Sequence, residues 1–169
     1  MITIQESGLS FGPFMPDTIF RVEHSPCVAR LSGIKACEFA WWSANDNKLI
    51  FIEAKSSVPN PQRNWQDYEQ YFSDMLEKFD NSLQLLLAGN WARHTDLAAE
   101  LNRLMPVLDW QQAEIIFYLV IPGAPRQFLS ALTDKLAKTL ERQLKIWRAR
   151  AFVINEQMAR DKGLLTEAA

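Results

Sequence analysis

The stretch Leu49-Ile50-Phe51-Ile52-Glu53-Ala54-Lys55 decides how this chain is organised. Four apolar residues in succession predict a buried β-strand, and the charged residues after them mark its end. Residues two apart on a strand point to the same face of the sheet. Glu53 and Lys55 therefore put an acid and a base side by side at the end of a buried strand.

A β-hairpin is predicted around this strand. Residues 34–42 form a first strand candidate, Ala44-Asn45-Asp46-Asn47 has the composition of a turn, and residues 48–55 form the second strand. If the turn is centred on Asn45 and Asp46, the numbers of paired residues sum to 91. Glu38 then lies directly opposite Glu53.

Two facing carboxylates need compensation. With Cβ atoms about 5 Å apart, their repulsion is roughly 3 kcal/mol at an effective dielectric constant of about 20. Lys55 could offset it, and so could a divalent cation, because hard ions bind carboxylate oxygens. The simpler alternatives are an ion pair between Glu53 and Lys55 at the edge of the sheet and a Glu38 that is only the polar half of a pleated strand.

The rest of the chain alternates between strand and helix patterns. Apolar periodicity predicts helices and strands at these positions: an edge strand at 1–6, a loop at 8–16, a strand at 18–23, helices at 64–89 and 95–104, a strand at 113–121, a helix at 126–148 and a strand at 151–154. This order predicts an α/β fold, a three-layer sandwich with a mixed central sheet, an antiparallel hairpin at its core and helices on the faces. We expect one domain over residues 1–169.

One helical segment carries a basic stripe. Lys135, Lys138, Arg142 and Lys145 recur at spacings of three and four, which puts them on one helix face. Such a stripe could neutralise phosphates of a nucleic acid. A charged helix face that is merely solvated is the plainer interpretation.

The bulk composition restricts the class of protein. The net charge of −2 excludes a global basic field, so a nucleic-acid site would have to be a local patch. The two cysteines, Cys27 and Cys37, have no zinc-site spacing and give no disulfide framework. The sequence has no secretory signal pattern and no membrane-spanning run, so we expect a cytoplasmic protein without a membrane partner.

Taken together, these residues resemble the PD-(D/E)xK nuclease superfamily, which has the restriction-endonuclease-like fold. The matching positions are Glu38, then Glu53-Ala54-Lys55, with a hairpin before the signature and a long helix after it, over about residues 20–121. The resemblance implies Mg²⁺ or Mn²⁺ held by Glu38, Glu53 and the carbonyl of Ala54, with Glu38, Glu53 and Lys55 as the catalytic set. It also implies an additional acid before the hairpin, for which Glu23 is the candidate.

The resemblance implies a metal-dependent nuclease acting on DNA or RNA, with a homodimer or a larger complex as its possible assembly. The chain also departs from the usual pattern, because the first acid is Glu38 rather than an aspartate and no helix is predicted before residue 60. The alternative is a non-catalytic interaction module with a nuclease-like fold.

Overall fold

The structure, a computed structural model, describes residues 1–166. In chain order the strands are β1 (Ile2–Glu6), β2 (Leu9–Phe14), β3 (Ile19–Phe20), β4 (Phe39–Ser43), β5 (Lys48–Ala54), β6 (Glu114–Val120) and β7 (Arg150–Ile154). The helices are α1 (Pro26–Arg30), α2 (Trp65–Asn90), α3 (Thr95–Leu104), α4 (Arg126–Thr139), α5 (Glu141–Trp147) and α6 (Glu156–Asp161).

A mixed five-stranded sheet forms the middle layer, with the order β3-β4-β5-β6-β7. β4 runs antiparallel to both β3 and β5, whereas β5, β6 and β7 are parallel to one another. Parallel neighbours need long connections, and here α2 and α3 join β5 to β6 while α4 and α5 join β6 to β7. The predicted α/β class and the mixed sheet are confirmed.

The register of the central hairpin agrees with the sequence prediction. Trp42 lies opposite Leu49 and Ala40 lies opposite Phe51, so the numbers of each pair sum to 91. β4 nevertheless begins only at Phe39, and the ladder ends there. Glu38 is therefore the residue just before the strand, and the predicted ladder pair between Glu38 and Glu53 does not form.

The two faces of the sheet carry different layers. Leu49, Phe51 and Glu53 alternate with Ile50 and Ile52 along β5, so the two sets point to opposite faces. The Phe51 face packs against α2, α3 and α4. The Ile50 face is covered by the β1–β2 hairpin and by the segment around α6. The sandwich thus has helices on one face and mainly a β-hairpin on the other.

The predicted loop at residues 8–16 is wrong, because most of it is strand β2. Ser7 and Gly8 both have positive φ angles, +49° and +78°, and make the tight turn that lets β2 fold back on β1. Leu9 and Phe11 then point into the core at alternate positions, and Phe14 is buried as well. The stretch with these glycines and prolines therefore forms part of the hairpin that covers one face of the central sheet rather than a loop.

The predicted strand at 18–23 is shorter than expected. Only Ile19 and Phe20 pair with β4, and residues 22–24 turn into a 3₁₀ helix. The short helix α1 follows, and the Ser25 hydroxyl caps it by accepting a hydrogen bond from the Val28 amide. A helix before residue 60 therefore exists, although it has only five residues.

Gly89 is a packing position inside helix α2. Helix α2 continues one residue beyond it, to Asn90. A Cβ atom at Gly89 would lie 2.3 Å from Leu101 Cδ1 and 3.0 Å from Leu97 Cγ, both on α3. The glycine therefore allows α3 to pack tightly against α2.

The predicted helix at 126–148 is divided into α4 and α5 at Leu140, whose φ and ψ angles are −91° and 12°. The hydrogen bonds from Leu140 to Leu136 and from Leu144 to Leu140 continue across the division. Leu140 is fully buried. The segment thus keeps its apolar contact with the sheet while its regular geometry is interrupted.

Candidate functional site

Glu53 is the centre of the candidate site. It is the last but one residue of β5, on the sheet face covered by α2, and its side chain has 0% exposure. An ionised carboxylate without compensation is strongly disfavoured in such a place. Its immediate partners therefore decide what the site can do.

Two lysines contact the same oxygen of Glu53. The Nζ atoms of Lys55 and Lys78 each lie 2.7 Å from Glu53 Oε1. Within residues 1–166, the other oxygen, Oε2, is buried and has no hydrogen-bond partner. Burial opposes the charged form of Lys78, but its hydrogen bond to Glu53 and the negative charges of the nearby glutamates together outweigh this and raise the pKa of Lys78 above its ordinary value.

Lys55 was predicted from the sequence, whereas Lys78 was missed. Lys78 comes from the middle of α2, where a lysine is usually solvated. A signal was present, because Lys78 lies three residues after Met75 and four before Ser82, and both are buried. Residues at these spacings share a helix face. A lysine on a buried helix face needs a compensating negative charge, so this spacing predicts a nearby acid.

Tyr71 lies on the same helix, two turns before Lys78. Its hydroxyl is buried without a hydrogen-bond partner among the described residues. Burial, followed by the negative charge of Glu53, raises the pKa of Tyr71. The tyrosine therefore stays neutral, and its hydroxyl lies within the electrostatic influence of the Glu53 carboxylate.

Glu38 is also part of the site. It is 8% exposed, and its pKa is raised from 4.5 to about 8. Burial is the main cause, followed by a hydrogen bond with Glu23 and the negative charge of Glu53. Two carboxyl groups that share a hydrogen bond hold a proton between them, so Glu38 is largely neutral at pH 7.

The segment before β4 is held by α2. The amide of Cys37 donates a hydrogen bond of 2.8 Å to Ser82 Oγ, and the Asn81 side chain donates one to the Lys35 carbonyl. These contacts fix the chain immediately before Glu38. The carboxyl group of Glu38 is thereby brought near Glu53, although the two residues are not ladder partners.

The predicted donor set is thus brought together in part. Ala54 pairs with Val120 of β6. It lies beyond the end of the β4–β5 ladder, whose last pair is Phe39 with Ile52. Glu23 is an exposed residue of the 3₁₀ turn at 22–24 and reaches Glu38. Among residues 1–166 there is no group of three or more His, Cys, Asp or Glu side chains that could hold a metal ion.

A small cavity of about 250 Å³ reaches the charged cluster. Its wall includes Glu23, Lys35 and Lys78, together with the loop at residues 31–36. Lys35 is held at this wall by Asp74 and Glu77, at 3.1 and 3.0 Å. Glu53 does not line the cavity, so Lys78 lies between the cavity and the buried carboxylate.

A second cleft, of about 490 Å³, lies at the carboxyl ends of β5 and β6. Polar side chains on its wall include Ser56, Ser57 and Asn60, and its apolar wall includes Phe128 of α4. Neither Glu38, Glu53 nor Lys55 lines it. This cleft is therefore separate from the charged cluster.

The four residues of the predicted basic stripe differ in their ion pairs and in their exposure. Lys135 Nζ forms an ion pair with Glu69 and lies 5.5 to 5.8 Å from the ring centroids of three aromatic residues, Trp65, Tyr68 and Phe72. Lys145 pairs with Glu141 on its own helix. Lys138 and Arg142 are exposed and form no ion pair within the described part of the chain. Two of the four residues are therefore available to a ligand.

Comparison with known proteins finds no protein-family model, no curated protein and no solved structure that matches this chain. Among the helices of residues 1–166, none combines the length and the apolarity needed to cross a membrane.

Proposed function

We propose that this chain is a metal-dependent nuclease of the PD-(D/E)xK type, which hydrolyses phosphodiester bonds of DNA or RNA. The observation that carries the proposal is the contact between Lys55 Nζ and Glu53 Oε1 at the end of β5, with the Glu38 carboxyl group beside it. An acid and a lysine in contact at a strand end, next to a second acid, are the parts that such a reaction needs.

The proposal requires oxygen donors for a hard divalent cation. Glu53 Oε2 is a carboxylate oxygen without a partner within residues 1–166, and the Glu38 carboxyl group and the Ala54 carbonyl would complete a set of oxygen donors. Mg²⁺ and Mn²⁺ prefer oxygen ligands, and Mg²⁺ usually keeps several waters. When bound, such an ion supplies Lewis-acid stabilisation of the charge that develops on a phosphate oxygen.

The other roles in the proposed reaction would belong to side chains of the protein. Lys55 has a side-chain exposure of 34%, against 0% for Glu53, so Lys55 is the group that can meet a phosphate. Glu53 orients the Lys55 ammonium through their 2.7 Å contact. Glu38 becomes a charged ligand only after it loses its proton, because its pKa is about 8 without a bound cation. Lys138 and Arg142 would contact the nucleic-acid backbone.

The test is cleavage of plasmid DNA, single-stranded DNA and RNA in Mg²⁺ or Mn²⁺, with EDTA as the blank. We expect cleavage by the wild-type protein and its loss in Glu53→Gln and Lys55→Met. The matched controls are Glu156→Gln and Lys162→Met, in and next to α6 on the opposite face of the sheet. Equal activity in all five preparations would indicate a contaminating nuclease and would overturn the assignment.

The second candidate function is a non-catalytic interaction module, acting as a homodimer or as a subunit of a larger complex. A specific observation favours it, because Lys55 and Lys78 already neutralise Glu53, whose side chain is fully buried. A carboxylate compensated in this way does not require a metal ion. Calorimetry without Mn²⁺ binding, together with a defined dimer or partner complex in light scattering, would support this alternative.

A further inference from the structure

The cleft of about 490 Å³ at the carboxyl ends of β5 and β6 is lined by uncharged residues only. Its volume lies within the range of roughly 300–1,000 Å³ that is usual for small-molecule sites. The carboxyl ends of parallel strands are also the place where α/β proteins commonly bind their ligands. The cleft therefore suits an uncharged organic group rather than an ion.

Aromatic rings form part of the cleft and of the surface beside it. Phe128 of α4 lines the cleft and is 54% exposed, and Tyr68 of α2 lines it from the other side. The ring centroid of Trp65, which is 60% exposed, lies 5.6 Å from that of Tyr68. Exposed aromatic faces stack well on other flat rings. The shape of the lining thus favours a planar occupant.

The polar side chains of the cleft are all neutral. They are two hydroxyl groups and two amide groups, from Ser56, Ser57, Asn60 and Gln62. Such groups both donate and accept hydrogen bonds, as the edges of nucleobases do. A purely apolar occupant would cover these groups without giving them partners, which is unfavourable. A flat, neutral ring with donors and acceptors therefore matches the cleft best.

Two unpaired cations flank the neutral cleft. Arg63 directly follows the cleft residue Gln62, and Arg126 directly follows the cleft residue Pro125. Both arginines are exposed, and the ion pairs that arginines form within residues 1–166 include neither of them. Guanidinium groups bind phosphates well. A neutral cleft between two free cations is complementary to a nucleotide, which joins a neutral base to an anionic phosphate.

The helix face that borders the cleft continues towards the exposed basic residues. Phe128, Ala131, Lys135 and Lys138 follow one another at spacings of three, four and three along α4, so they share one face. Phe128 and Ala131 line the cleft, and Lys138 is free of ion pairs within the described part of the chain. A nucleic-acid strand with one base in the cleft could therefore follow this face.

We propose that the cleft binds an unpaired nucleobase of a single-stranded segment, stacked on Phe128, while Arg63 and Arg126 contact the flanking phosphates. A base inside a duplex is stacked and paired, so it could enter only after it leaves the helix. This inference deepens the proposed function and rests on it for the choice of nucleic acid as the ligand. Because Ser56 directly follows Lys55, the bound strand would pass the proposed reaction centre.

The first test compares two ligands in EDTA, so that binding is measured without cleavage. The ligands are a fluorescent single-stranded oligothymidine and an abasic oligonucleotide of the same length, which keeps the phosphates and lacks the bases. We expect the wild-type Kd from fluorescence anisotropy to be about tenfold lower for oligothymidine, because only this strand can stack a base. Equal Kd values for the two strands would show that only phosphates are bound and would overturn the inference.

The second test uses variants of the cleft. Phe128→Ala removes the exposed ring, and Ala131→Trp places a bulky side chain at an exposed position of the cleft wall. Each should raise the Kd for oligothymidine about tenfold and leave the Kd for the abasic strand unchanged. The control is Trp91→Ala, which removes an aromatic side chain that is 70% exposed at the opposite end of α2. If both cleft variants bound oligothymidine as wild type does, the inference would be overturned.

The flanking arginines should act on both ligands alike. Arg126→Ala removes a phosphate contact, so we expect it to weaken binding of oligothymidine and of the abasic strand by the same factor and to lower the salt slope by about 1. An effect of Arg126→Ala on oligothymidine alone would contradict the assigned phosphate contact.

The outcomes separate this inference from the proposed function. If base-dependent binding is lost in Phe128→Ala but no nucleic acid is cleaved in Mg²⁺ or Mn²⁺, the cleft assignment stands and the nuclease proposal fails. If cleavage depends on Glu53 and Lys55 while the two strands bind equally, the nuclease proposal stands and the cleft assignment fails. If a proline-rich peptide binds at Phe128 and oligothymidine does not bind, the cleft is a peptide site and the inference is overturned.

Discussion

Ser82 Oγ accepts a hydrogen bond of 2.8 Å from the backbone amide of Cys37. The same hydroxyl donates a hydrogen bond of 2.7 Å to the Lys78 carbonyl within α2. Ser82 is fully buried, and Cys37 directly precedes Glu38. One side chain thus connects the helix that carries Lys78 to the segment that carries Glu38.

Replacing Ser82 should therefore destabilise the protein. Ser82→Ala leaves the buried Cys37 amide without its acceptor, and we expect the free energy of unfolding to fall by about 1–3 kcal/mol. Urea denaturation followed by circular dichroism measures this change. Ser73→Ala, at an exposed position of the same helix, is the control and should change stability by less than about 0.5 kcal/mol. Equal stability of both variants would contradict the role of Ser82.

Removing the carboxylate of Glu53 should lower the free energy of unfolding by more than Ser82→Ala does. Glu53→Ala leaves the ammonium groups of Lys55 and Lys78 close together without the carboxylate that both of them contact. We expect a loss of about 3–5 kcal/mol in the free energy of unfolding, as for other broken buried ion pairs. The control, Glu141→Ala, removes an exposed pair with Lys145 and should cost less than about 1 kcal/mol. Denaturant titrations of the two variants under the same conditions make the comparison.

The raised pKa of Glu38 makes stability depend on pH. The pKa of Glu38 is about 8 in the folded protein, against an ordinary value of 4.5 that applies to the unfolded chain. Between these two pH values the folded protein therefore binds more protons than the unfolded chain. The stabilisation from the protonated Glu38 is fully present below pH 4.5 and is lost as pH rises through 8. We expect the free energy of unfolding in EDTA to fall between pH 5 and pH 8 for this reason.

Two variants isolate the contribution of Glu38. Glu38→Gln keeps a neutral side chain of similar shape and should flatten the pH dependence between pH 5 and 8. Glu141→Gln should keep the wild-type slope, because the hydrogen bond and charge of Lys145 lower the pKa of Glu141 and its titration lies below this range. A slope in Glu38→Gln equal to that of wild type would mean that Glu38 does not titrate there.

Substitutions of the basic residues of α4 and α5 should have two different effects, weaker nucleic-acid binding at some positions and lower stability at another. Lys138 and Arg142 are exposed, so Lys138→Ala and Arg142→Ala should each weaken binding to DNA or RNA and lower the slope of log K against log salt by about 1. Fluorescence anisotropy over a salt series measures both effects. Lys135→Ala should instead lower stability, because Lys135 pairs with Glu69 and lies over three aromatic rings. If all three variants lowered the salt slope equally, this division would be wrong.

Local sequence signals predicted the hairpin well. The turn at residues 44–47 has strong turn composition, and the apolar residues on both sides fix which face each side chain takes. The register therefore followed from short-range information, down to the pairing of Trp42 with Leu49. The start of β4 could not be predicted from short-range information, because the residues before Phe39 are held by Ser82 and Asn81 of α2 and not by a neighbouring strand.

Other features depended on contacts that sequence spacing does not reveal. The stretch with Gly8 and Gly12 has the composition of a loop, yet it pairs with β1 because its alternating apolar residues find a surface on the sheet. Lys78 looked like one more charged residue of a long helix until its buried partner was known. The acid and lysine of the signature were predictable from a strand end, whereas the second lysine required the packing of α2.

The buried pair of Glu53 and Lys78 also restricts how α2 can dock on the sheet. Sliding the helix by one residue would rotate its side chains by about 100° and carry the Lys78 ammonium away from Glu53. Apolar side chains tolerate such a shift at modest cost, but a carboxylate without solvent contact does not. A single axial alignment of the helix is thereby favoured over its neighbours, so the residues of the site also act as a check on correct folding.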